Sequence, residues 1–187
     1  MDYKKDKQLF EELFTSDWGV VGIIVGMLGL FGSVLWGFPP AVALTSALVL
    51  FTSFDIVGYN SVALVVDRMS LVRYRVIQTC FQWTLFLTLT LITEWNQWAT
   101  VGYVLLWWMG VCDVLFYILV GKLRDMLIYE DMPWLWWTPI GIINRFLGRQ
   151  TSGNTVFIIS LWTVIIWYGM LAIVERFNIQ TIMWLFN

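Results

Sequence analysis

The amino-acid sequence predicts an all-α protein, a multi-pass helix bundle of five transmembrane helices with an interfacial or re-entrant segment before the last. Three observations predict it. Of the 187 residues, 59% are hydrophobic and 13% charged, whereas ordinary soluble domains are about 45–50% apolar and about 25% charged. Mean hydropathy is +0.74, and the apolar residues gather into runs of roughly 18 or more, the length a helix needs to cross hydrocarbon. Lys and Arg collect in the short segments between those runs, as cytoplasmic loops do.

The first 17 residues form a charged N-terminal segment, 1–17. There Leu9, Phe10, Leu13 and Phe14 stand opposite Lys5, Lys7, Glu11 and Glu12. This pattern predicts a short amphipathic helix on the cytoplasmic surface, with a solvated cap as the alternative. One transmembrane domain follows, 18–187. Its first span, about 18–38, stops at Pro39-Pro40, because proline lacks the N–H and clashes with the preceding turn. The run is too long for the apolar part of a cleaved signal peptide, about 7–15 residues. The second span, about 41–66, is interrupted only by Asp55 and Asn60. The third, 76–93, and the fourth, 99–121, are joined by the polar turn from Glu94 to Trp98. The last covers 155–174. Between the fourth and last, 126–147 carries Glu130, Asp131, Pro133, Pro139, Asn144 and Arg145. Charges and prolines this dense are costly in lipid, so the segment is expected at the interface.

With the N-terminus cytoplasmic, every Lys and Arg except Arg176 falls inside. A sixth crossing through 126–147 would move Arg145 and Arg149 outside and Arg176 inside, a weaker asymmetry.

Composition also excludes chemistry. The chain has no histidine, so haem and histidine-ligated metals are not expected. A net charge of −2 gives no attraction to nucleic acid. Cys80 and Cys112 lie within spans and show no zinc or redox spacing. Gly22, Gly26 and Gly29, with Ser33, share one helix face and allow close approach to another helix, in this chain or in a homo- or hetero-oligomer. Thirteen tryptophans include many at expected interfaces, where indoles form belts. Trp83 and others fall within spans, where packing competes with ligand contact.

The sharpest signal is a pair of intramembrane acids, Asp55 and Asp113. Each has a tyrosine four residues later, Tyr59 and Tyr117, on the same helix face. On straight helices both carboxyls lie about 21 Å from the outer boundary. Gln78 and Gln82, four apart on the third span, add amides in that same cytoplasmic half. The spacing from Asp55 to Asp113 recurs from Asp67 to Asp125, which a duplicated hairpin would produce. An ionisable group in a span costs at least ~2.5–3.5 kcal/mol on insertion scales, which invites a functional reading against that of a packing hydrogen bond.

A cytoplasmic rim that includes Arg68, Arg73 and Arg124 can hold a lipid phosphate, and Asp67 with Asp125 offers a place for Mg²⁺. Three functions are compatible with this pattern. One is a lipid- or isoprenoid-processing enzyme with Asp113 as proton donor, Asp55 as its partner, Tyr117 and Tyr59 as supports, and Gln82, Trp83 and the rim arginines on the substrate. The second is a small transporter of a lipophilic cation or protons. The third is a subunit of a larger membrane complex.

Overall fold

Among the residues it describes, the computed structural model is all-helical. Those residues are 18–37, 39–63, 68–92, 97–132, 135 and 138–177, with backbone alone at 58–63, 68–75, 92, 97, 175 and 177. Segment 1–17, with its expected amphipathic helix, lies outside them. The helices are α1 (Trp18–Trp36), α2 (Pro40–Ala63), α3 (Arg68–Ile92), α4 (Gln97–Trp108), α5 (Val111–Leu119), α6 (Leu123–Ile128), α7 (Pro139–Phe146) and α8 (Gly153–Phe177).

Pro40 opens α2 at the first helical position, where its missing N–H costs nothing, and Val42 N donates to Pro39 O at 2.8 Å. α1 then lies antiparallel along α2 through the glycine face. A Cβ on Gly22 would collide with Ser53, and one on Gly26 would come within 2.9 Å of the Ser46 carbonyl oxygen. The same face therefore serves α2 within this chain. Gly22 and Gly26 are buried against it, and Gly29 is half-buried beside Ser46.

α2 is the hub, touching α1, α3, α4, α5 and α8. Leu44, Ala47, Leu48 and Phe51 of α2 meet Leu85 and Leu89 of α3, Tyr103 and Leu106 of α4, Cys112 of α5, and Trp167 and Leu171 of α8. The opposite faces remain apolar and exposed, as at Leu28, Phe31 and Leu35 of α1 and Trp162, Ile165 and Ile166 of α8. Apolar surface on this scale marks a lipid or protein contact rather than a water-facing exterior.

Among the described residues three helices are long and apolar enough to cross a membrane: Trp18–Trp36, Pro40–Val57 and Gly153–Val174, with mean hydropathies of 2.1, 1.7 and 2.2. The sequence led us to expect five. The expected third span is α3, whose apolar part is Val76–Leu91, a rise of only about 24 Å. Its threonines hide their hydroxyls in the helix, as where Thr84 Oγ1 donates to Cys80 O at 2.9 Å and Thr88 Oγ1 to Thr84 O at 2.8 Å. The expected fourth span is not one helix: α4 and α5 meet at a 73° bend, and together they make a fourth candidate.

The bend is built at Met109-Gly110. Gly110 has φ +82°, a left-handed conformation that costs other residues roughly 1–2 kcal/mol. Ser160 Oγ of α8 donates to Met109 O at 3.0 Å, satisfying a carbonyl at the break.

Beyond α5 the chain forms a lobe around Val114, Met126, Met132, Leu135, Ile140 and Val156. Its two ends are tied together: Met132 N donates to Thr151 O at 2.8 Å and Gly153 N to Tyr129 O at 2.9 Å. Asp131 Oδ1 accepts from Thr151 N at 3.1 Å. The chain between Met132 and Thr151 thus leaves and returns to one place.

Candidate functional site

Asp55 sits on α2 one turn beyond Thr52, so the two side chains share a face. Gln78 Nε2 of α3 donates to Asp55 Oδ1 at 2.7 Å. One turn along α3, Phe81 stacks on Phe54 with centroids 4.2 Å apart, which fixes the α2–α3 register and holds Gln78 opposite the carboxyl.

α5 packs on α2 and brings in Cys112 and Asp113. Cys112 is buried beside Thr52, and both Asp113 and Asp55 act on it electrostatically. Tyr103, on α4, lies within electrostatic reach of the same thiol. Residues of α2, α4 and α5 thus converge around Cys112. Thr52 and Tyr103 are each 1% exposed; the Thr52 hydroxyl pairs with the Cys112 thiol, whereas Tyr103 OH has no hydrogen-bond partner among the described residues. Leaving a buried hydroxyl unsatisfied costs about 1–3 kcal/mol, and such groups commonly hold water or a ligand.

The bend decides where Asp113 lies. It occupies the first turn of α5, where unbonded backbone N–H groups face a carboxylate favourably. The straight-helix depth of about 21 Å does not apply, because after a 73° turn each residue advances only about 0.4 Å along the α4 axis. The duplicated-hairpin reading loses its structural support for the same reason. Asp55 lies in an unbroken helix and Asp113 just after a break.

The other expected residues divide. Tyr117 hydrogen-bonds with Tyr129 and feels both Asp113 and Asp125, its ring edge-on to Tyr129 at 6.3 Å. It therefore links the acid to the lobe. Tyr59 lies one turn past Asp55 on the α2 backbone, and its side chain is outside the described residues, as are those of Arg68 and Arg73. Asp67 falls outside them altogether. Gln82 is half-buried. Trp83 is exposed and packs edge-on against Phe86 at 5.6 Å, on the outer side of α3, so its expected substrate contact is not part of this cluster. Arg124 is exposed and Asp125 half-buried on α6. Among the described residues no group of three or more Cys, Asp or Glu side chains is arranged to hold a metal ion.

Thr52, Tyr103 and Cys112 were not singled out from sequence. Thr52 was within reach, three residues before Asp55 on the same face. Tyr103 and Cys112 join only through the packing of α2 on the bent α4–α5 pair. No protein-family model, no curated protein and no solved structure matches the chain.

Proposed function

We propose that the chain is an integral membrane protein with five crossings and a cytoplasmic N-terminus, and that it performs proton chemistry on a lipid or isoprenoid held within the bilayer. Asp113 is the proton donor and Asp55 its partner. The observation that supports this reading is that both acids act on buried Cys112, which also lies within reach of the unpartnered hydroxyl of Tyr103. A protonated Asp113 gives its proton to the substrate and is left as a carboxylate at the start of α5, where the helix terminus stabilises it. Arg68, Arg73 and Arg124 lie toward the end where a lipid phosphate would sit. Five crossings rather than six are supported by the paired ends of the lobe, because a segment that returns to its origin does not change sides.

The test is to purify the full chain in native lipid, identify the lipids that stay bound by mass spectrometry, and follow their conversion after reconstitution. Asp113→Asn should keep the fold and the bound lipid while turnover falls about 100-fold or more. Full turnover in Asp113→Asn would overturn the donor role. Purification with a fixed partner chain and no lipid would make the protein a subunit.

The 73° break between α4 and α5 favours one second reading. Discontinuous helices with an acid at the break are used by transporters to bind cations or protons. Proton-driven uptake of a lipophilic cation into vesicles, abolished by Asp113→Asn, would favour it over lipid conversion.

A further inference from the structure

α7 is apolar on two opposite sides. Thr138 Oγ1 accepts from Gly141 N at 3.2 Å and starts the helix, and Ile140 and Gly141 face the lobe interior. That accounts for one side. Ile142, Ile143, Phe146 and Leu147 are 51%, 57%, 90% and 55% exposed, and at about 100° per residue they fill an arc of about 140° away from the buried side. The described residues of the lobe leave these four side chains exposed. Arg145 lies about 60° beyond the Ile142 end of the arc and Arg149 just beyond the helix, both exposed, and α7 carries no acidic residue. A short helix with an apolar outer arc and basic flanks is suited to lie in a headgroup layer, with its arginines reaching lipid phosphates.

The position of α7 agrees. Asn144 Nδ2 donates to Thr151 Oγ1 at 3.4 Å, and the apolar span of α8 begins at Gly153. Two residues of chain reach at most about 7 Å, so this side of α7 is held close to the level at which α8 enters hydrocarbon.

We infer that α7 is a membrane-surface element that sinks Ile142, Ile143, Phe146 and Leu147 into the cytoplasmic leaflet and uses Arg145 and Arg149 to collect anionic phospholipid beside the bundle. This rests on the membrane reading above and deepens it. The lipid gathered at the mouth of the site is a phosphate-bearing one.

The full chain with Cys80→Ala is labelled with a fluorophore at Phe146→Cys or, as a control, at Ile165→Cys on the exposed face of α8; buried Cys112 stays unlabelled. Each is placed in vesicles of phosphatidylcholine, alone or mixed with phosphatidylglycerol, with spin-labelled forms of either lipid as quenchers. The label at position 165 should be quenched from deep in the bilayer and that at 146 from a shallow depth. Spin-labelled phosphatidylglycerol should quench at 146 several-fold better than phosphatidylcholine. Arg145→Gln with Arg149→Gln should bring that ratio toward one, each arginine accounting for up to about five-fold.

A label at 146 quenched only by aqueous iodide, with 165 in lipid, would overturn the inference and leave the membrane reading standing. Both labels in water would overturn both. Shallow quenching without preference for phosphatidylglycerol would overturn the anionic-lipid assignment, and shielding that appears only at high protein-to-lipid ratio would assign the face to a second copy of the chain.

Discussion

Gln78 and Asp55 show how single residues set the site. The amide donates to the carboxyl at 2.7 Å in a half-buried setting, where a hydrogen bond to an acid contributes about 1.5–3 kcal/mol. Gln78→Leu should destabilise the purified chain by about 1–3 kcal/mol, read as a lower midpoint for denaturation in detergent. Gln82→Leu, one turn further along α3, should cost clearly less, because it leaves that bond intact. Equal losses would show that the α3 amides matter only through general packing. Asp55, Asp113 and Gln78 were legible from sequence because an ionisable or amide group in an apolar run has few bland explanations. Thr52, Tyr103 and Cys112 were not, since a hydroxyl or thiol in a span passes for a packing residue until its neighbours are known. Their significance lies in the unpartnered Tyr103 hydroxyl and the buried thiol within its reach, a property of the surroundings rather than of the residue type.

The broken helix is the element on which the site depends. Apolar length alone reads 99–121 as one span, and nothing in local propensity overrules it, because glycine is common inside membrane helices. What fixes the bend is Gly110 at φ +82° together with the bond from Ser160 to the Met109 carbonyl. Gly110→Ala should therefore destabilise the chain by roughly 1–2 kcal/mol, with added crowding from Val156 Cγ1 3.1 Å from the new methyl group. Gly169→Ala is the control. Its Cβ would meet nothing within 4 Å, in the interior of α8, where alanine is favoured over glycine by up to about 1 kcal/mol. Denaturation midpoints should thus move in opposite directions. A neutral Gly110→Ala would mean that the bend carries no backbone constraint.

At the scale of the whole molecule, topology is the testable property. Accessibility tagging of cysteines placed at Asp2 and Asn187 in membrane vesicles should find the first inside and the second outside, as an odd number of crossings requires. Both ends on one side would restore the six-crossing alternative, and Asp2 outside would refute the orientation. The sequence by itself determined the class of the protein as all-α with membrane-like helices: apolar runs of membrane length leave helices as the economical way to satisfy the backbone, and the placement of Lys and Arg is the ground for the orientation proposed above. It also determined which acids to examine. Tertiary structure decided how those runs are used. The glycine face of α1 is closed by α2 because residue spacing shows that a face is small but not what covers it. The fourth run is bent because a carbonyl freed in α4 finds a hydroxyl in α8, a contact between residues 51 positions apart. The approach of Asp55 to buried Cys112 depends on how α5 packs on α2, and a long-range approach of this kind has no periodicity to read.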